Sequence, residues 1–159
     1  MNKEPIHLQN EIDQSIDITA PASATWALVR IPGWWINTDT IRPHKIESEA
    51  DIHRVHDEQF GIFTIRTVNE KEPEWVEFEW LATGKEKGVD ELPNTLVRFE
   101  VTGDGSRSTL RVVESGFLGG EISTERREEF YRENFEGWQV ELAAAKKYLE
   151  AGPEGIINP

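Results

Sequence analysis

The sequence predicts an α+β fold, an antiparallel sheet of about seven strands with a long C-terminal helix laid across it and two short helices after the first strand. Three observations carry this. From Lys45 to Gly116, short segments alternating apolar and polar residues follow one another with only turn residues between them, which calls for hairpins and antiparallel pairing. Helical spacing appears briefly after Pro21. It returns, for far longer, from Ser123 to Glu150.

Ile12, Ile16 and Ile18 share one parity against Asp13, Ser15 and Asp17, the alternation of a half-buried first strand. Ala20-Pro21 then opens a short helix of roughly ten residues. Pro21 suits the first helical position because its missing N–H would be unsatisfied there anyway, and Pro32-Gly33 stops the helix. Strands are expected at Ile46 to Ser48, Ile52 to His56, Phe60 to Asn69, Trp75 to Ala82, Thr95 to Thr102 and Ser108 to Gly116, with Asp57-Glu58-Gln59 and Asp104-Gly105 as hairpin turns. Parity sets Val76, Phe78 and Trp80 against Glu77 and Glu79, and Val97, Phe99 and Val101 against Arg98 and Glu100, so one face is buried and the other wet. Thr83 to Asn94 is the longest irregular stretch and is expected at a pocket mouth or on the surface. In the last helix, Ser123 or Thr124 caps the start and Glu125 favours the positive end of the dipole. Tyr131, Phe135, Trp138, Leu142, Ala145 and Leu149 form one stripe, with Arg127 and Asn134 along its edge. A helix of about 27 residues spans roughly 40 Å, enough to cross a sheet.

The 159 residues are sized for a single domain, with a core over about 11–150 and flexible ends at 1–9 and 151–159, where Ile156 and Ile157 could dock on a neighbouring surface. Seventeen Lys and Arg against thirty Asp and Glu leave a formal charge of -13, which repels phosphate backbones and anionic membranes. Neither nucleic acid nor membrane is an expected partner. Cysteine is absent, which removes disulfides, thiolate chemistry and Cys-based metal sites. No apolar run of signal-peptide type opens the chain and none approaches the ~18 residues of a membrane span, so a cytoplasmic protein is expected.

Among chemistry-bearing residues, His53 and His56 lie three apart in a strand and so point to opposite faces, and His44 stands apart, so no metal site is expected. Ser115 has no nucleophile elbow around it, and Gly103-Asp104-Gly105 reads as a hairpin rather than a phosphate loop, so no cofactor is expected. Glu114 differs from these. Its parity with Leu110 and Val112 points it inward, where a carboxylate must be paired, hydrogen-bonded or protonated. Arg127 and Asn134 are its expected partners, either as a clasp locking helix to sheet or as a site that orients a ligand or moves a proton. Trp34-Trp35 either gates a pocket entrance or packs on the sheet rim, and Trp80 and Trp138 are expected in core or cavity wall. Gly137 weakens a helix by ~1 kcal/mol relative to Ala, which fits close approach of the helix backbone to sheet or ligand.

Ile18-Thr19-Ala20-Pro21 followed by Trp26, with Trp34-Trp35 beyond, resembles the opening of the START-like (SRPBCC, helix-grip) superfamily. Glu77-Phe78-Glu79-Trp80, Thr95-Leu96-Val97-Arg98-Phe99, Val113-Glu114-Ser115-Gly116-Phe117 and Asn134-Phe135-Glu136-Gly137-Trp138 with Tyr148-Leu149 are similar to its bacterial branch named for activators of the heat-shock-protein-90 ATPase. The resemblance covers about residues 11 to 150. It implies a seven-stranded antiparallel sheet curved around the last helix with a cavity between them. Members of this fold bind lipids, hormones and polyketides, and some act as cyclases or hydroxylase components.

The expected function is therefore binding of a small, largely apolar, lipid- or polyketide-like molecule in an enclosed cavity between sheet and helix. The residues expected to line it are Trp34, Trp35, Phe78, Trp80, Phe99, Val112, Glu114, Arg127, Tyr131, Asn134, Trp138 and Leu142. Two alternatives stand beside this: a cyclase-type enzyme with Glu114 as acid or base, and a co-chaperone or other interaction module. A homodimer is left open.

Overall fold

In the computed structural model, which describes residues 8–81 and 92–152, the order is β1 (Glu11–Ile18), α1 (Ala22–Val29), β2 (Lys45–Glu49), β3 (Ile52–Asp57), β4 (Gly61–Lys71), β5 (Trp75–Leu81), β6 (Thr95–Gly103), β7 (Ser108–Ser115) and α2 (Thr124–Glu150). The seven strands make one sheet in the order β1-β7-β6-β5-β4-β3-β2, every pair antiparallel. β2 to β7 form a meander, as closely spaced alternating segments dictate, and β1 returns to the sheet beside β7. The expected loose ends fall largely on residues 1–7 and 153–159, outside the described residues, as does most of the expected loop at 83–94.

α1 begins one residue later than Pro21, which sits before it with an extended ψ of 146°. The second short helix expected after β1 is replaced by turns, in which Trp34 N–H donates to Ile31 O (3.2 Å) and Ile36 N–H to Gly33 O (3.0 Å). The cause is local crowding. Gly33 has a φ of 76°, and a Cβ there would lie 2.8 Å from Val55 on β3, so the chain bends against the sheet instead of coiling on.

The concave face of the sheet buries Ile12, Val55, Ile65, Val76, Phe78, Val97, Phe99, Leu110 and Val112, and meets Tyr131, Trp138, Leu142, Ala145 and Leu149 of α2. Ser123 caps α2 by accepting from Arg126 N–H at 3.1 Å, and Glu125 occupies the first turn. On the convex face the polar parity forms a chain of alternating charge, Asp13–Arg111–Glu100–Arg98–Glu77, across four strands. The Arg98 guanidinium also lies 4.3 Å over the Trp75 ring.

α2 also runs along β1. Tyr131 Oη donates to Glu11 O (2.9 Å), Gln14 Nε2 to Phe135 O (2.9 Å) and Lys146 Nζ to Asp17 O (3.1 Å), while Thr19 N–H donates to Glu150 (2.8 Å). These contacts set the position of the middle of α2 over the sheet.

Candidate functional site

Asn134, Gly137, Trp138 and Glu141 stand at i, i+3, i+4 and i+7 of α2 and so share one helix face. Opposite them are Trp35, Ile36 and Asn37 from the turn after α1, Phe60 and Phe63 from the β3–β4 hairpin, and Trp80 of β5. The space between is a cleft of about 220 Å³ that opens to solvent. At ~30 Å³ per water it has room for several waters or a small organic molecule.

Its wall is aromatic. Trp35 has ring centroids of Phe99, Phe78, Trp80 and Trp138 at 5.2, 5.6, 5.6 and 6.0 Å, and the Phe63 ring lies tilted against Trp80 at 6.5 Å. The Trp35 indole N–H is buried with no hydrogen-bond partner among the described residues. Phe60 is held at the lip by Asp57, whose carboxylate accepts from the Gln59 and Phe60 backbone N–H groups (2.9 and 2.8 Å), from Arg42 (2.7 Å) and from His44 (3.0 Å).

Gly137 occupies the floor of the cleft. A Cβ built on it would meet nothing within 4 Å, so the backbone does not approach the sheet closely there. Of the two expected reasons for a glycine at this point, packing against the sheet is excluded and open space toward the cleft remains.

Two buried carboxyls lie near the cleft. Glu114 is 0% exposed and accepts from Thr95 Oγ1 (2.6 Å), Trp138 Nε1 (2.8 Å) and Asn134 Nδ2 (3.1 Å to each oxygen). Burial pushes its carboxyl above the ordinary value, against those three donors, which favour the ionised form. It does not line the cleft. It sits behind Asn134 and Trp138 and fixes both. Glu141 is 7% exposed and faces the cleft, accepting from Asn37 Nδ2 at 2.9 Å. Burial pushes its carboxyl up to about 7, opposed by Asn37 and Arg42 and reinforced by Asp39.

The expected site residues thus divide. Trp35, Trp80, Asn134 and Trp138 come together at the cleft; Trp34, Phe78, Phe99, Val112, Tyr131 and Leu142 are packed in the core. Trp34 is 2% exposed with Phe99 at 5.2 Å, so neither gating nor rim packing describes it. Among the described residues these rings pack against one another, and the space that Trp35, Trp80, Asn134 and Trp138 outline is a cleft open to solvent. Arg127 is not a partner of Glu114. Seven residues before Asn134 it lies about 10 Å back along the helix, and its guanidinium instead donates to the carbonyls of Phe117, Gly119 and Gly120 at 2.6, 2.5 and 3.2 Å. Thr95 and Glu141 were not anticipated. For Glu141 a signal existed, a charged residue on the i+7 position from Asn134 inside an apolar stripe.

Elsewhere, a wider polar depression of about 400 Å³ at the far end of β1, β6 and β7 is lined by Asp17, Thr102, Asp104, Arg107, Thr109 and Lys146 among others. Its Asp17 already accepts from Thr109 (2.8 Å) and its Lys146 pairs with Glu150. His53 bonds Ser48 and Thr67 and His56 bonds Glu47, and no cluster of metal-ligating side chains exists among the described residues. None of the described helices is long and apolar enough to cross a membrane.

No family model matches the sequence, and no curated protein matches it. Solved structures do. A START superfamily protein from Mycobacterium smegmatis superposes with a TM-score of 0.59 at 11% identity, over 86% of this chain and 97% of that one. The Aha1 dimer from Colwellia psychrerythraea gives 0.62 at 15%, over 90% and 98%. DynU16, a protein of the dynemicin biosynthetic locus, gives 0.65 at 18% over 94% of this chain, which spans about half (51%) of that structure.

Proposed function

On the helix-grip fold that this chain shares with START-like proteins, Aha1 among them, we propose that it binds a small, largely apolar molecule in the cleft between sheet and α2. Trp35, Trp80 and Trp138 supply the wall, and Asn134 and Glu141 the polar contacts. The observation that carries this reading is Gly137: a residue that weakens the helix stands where an added Cβ would meet open space, in the wall of a cleft it shares with three tryptophans.

Native mass spectrometry of the purified protein tests for a retained molecule, and titration with small aryl compounds followed by tryptophan emission tests the place. The wild type should respond and Gly137→Leu, which fills the cleft, should not. An equal response from Gly137→Leu would remove the cleft as the site. Of the two buried carboxyls, Glu141 is the one at the cleft, so an acid–base reading would rest on it rather than on Glu114.

A second reading is self-association. Phe60 and Ile62 of the β3–β4 hairpin are 49% and 57% exposed, and the similar Aha1 of Colwellia psychrerythraea is described as a dimer. Sedimentation equilibrium distinguishes it: a monomer at micromolar concentration would remove this reading.

A further inference from the structure

Resting on the cleft as the binding site, we propose that its ligand is an organic cation, an aryl- or alkylammonium group seated among the tryptophan rings with Glu141 as counter-ion. Charge and ring geometry both point this way. Among the described residues the cleft is lined by two carboxylates, two amides and five aromatic rings, and by no basic side chain. Rings presented around a small space attract cations through their quadrupoles, most strongly when water is excluded. The charge of -13 draws cations toward the molecule as a whole.

The two carboxylates are not equivalent. Glu133 is already engaged by Arg126 at 2.9 Å. Among the described residues Glu141 is held by an amide alone, Asn37, whose own position is fixed by Trp34 O (2.7 Å) and Arg42 N–H (3.0 Å). The charged side chains that influence Glu141 are Arg42 and Asp39 from the segment after α1, and Arg42 is committed to Asp57 at 2.7 Å. A nearly buried carboxyl without an ionic partner is costly to ionise, and a ligand cation would remove that cost. A neutral ligand would desolvate Glu141 further, and an anion would oppose it.

The test compares phenyltrimethylammonium, permanently charged, with its uncharged isostere tert-butylbenzene on the full chain, by calorimetry at pH 8. The cation should bind about tenfold or more tightly than the isostere. At pH 6, where Glu141 is largely protonated, the preference should shrink. Glu141→Gln retains the acceptor for Asn37 and should abolish the preference, weakening phenyltrimethylammonium while relieving the desolvation cost that tert-butylbenzene meets in the wild type; circular dichroism checks that it folds. Glu133→Gln should keep the preference. Equal or tighter binding of tert-butylbenzene by the wild type overturns the cation proposal and leaves the cleft reading standing, whereas failure of both probes to bind overturns both. A preference that survives in Glu141→Gln overturns the assignment of the counter-ion.

Discussion

Replacing Glu114 by Gln or by Leu separates the hydrogen-bonding geometry of this carboxyl from its charge. In the wild type one oxygen accepts from Trp138 and Asn134 and the other from Thr95 and Asn134. A glutamine carbonyl in the first position keeps the indole and amide donors satisfied. Its NH2 then faces Thr95, whose hydroxyl rotates to accept, so one of two Asn134 contacts is lost at about 1 kcal/mol, partly offset by removing a buried ionisable group. Leucine provides no acceptor. It strands Thr95 Oγ1 and Trp138 Nε1, both buried, while Asn134 at the open cleft can turn to water, at about 1–3 kcal/mol for each stranded donor, or about 2–5 kcal/mol together. Urea unfolding followed by tryptophan emission should therefore rank wild type and Gln together and Leu far below. Because the cleft lies beyond Asn134 and Trp138, ligand affinity of the Gln variant should stay within a few-fold of wild type. A Gln variant as unstable as the Leu variant would refute the reasoning, since it would mean that ionic charge, not acceptor placement, holds the cluster.

Gly137→Ala should stabilise the protein by about 1 kcal/mol in urea unfolding, because the added methyl meets open space and the helix propensity gain is uncancelled. For Glu141 the sign follows from its raised value: between 4.5 and about 7 the folded protein holds a proton that the unfolded chain has released, so stability falls as pH rises through that window. The unscreened loss would be about 3 kcal/mol and solvent reduces it to about 1–2 kcal/mol, which the difference between wild type and Glu141→Gln, measured from pH 4.5 to 8, should show. Arg127→Ala frees three carbonyls of the segment before α2 and should cost about 1–2 kcal/mol in the same unfolding assay, with Arg127→Lys recovering only part because an ammonium cannot span them as a planar fork does.

Strand parity placed Ile12, Phe78, Phe99 and Glu114 on the inner face, because a period of two leaves no other choice once one face is buried. The partners of Glu114 were less legible. It pairs across β6 with Val97, which puts Thr95 on the diagonal, and that register depends on where the β6–β7 hairpin turns, a detail that parity does not contain. Angular position on α2 made Arg127 and Asn134 look equivalent, whereas their separation along the axis decides which of them reaches the carboxyl. The turns at Gly33 depend on Val55, some twenty residues away, so no local pattern announces them. The size of the cleft was hidden for a similar reason: it is what remains after Trp34 and Trp35 have entered the core.

The contacts between α2 and β1 bear on how the molecule avoids polymerising through its sheet. An open sheet has two borders at which a foreign strand could add. At β1 that border is occupied by Tyr131, Lys146 and Glu150, whose side chains engage the backbone of Glu11, Asp17 and Thr19. At the opposite border, β2 is five residues long and exposes every residue but Ile46, three of them charged (Lys45, Glu47 and Glu49), a poor template for strand addition. The helix that closes the cleft therefore also protects the border strand. Loss of its second half, by truncation or proteolysis, would uncover backbone groups of Asp17 and Thr19 at the end of β1, where a second copy could add a strand.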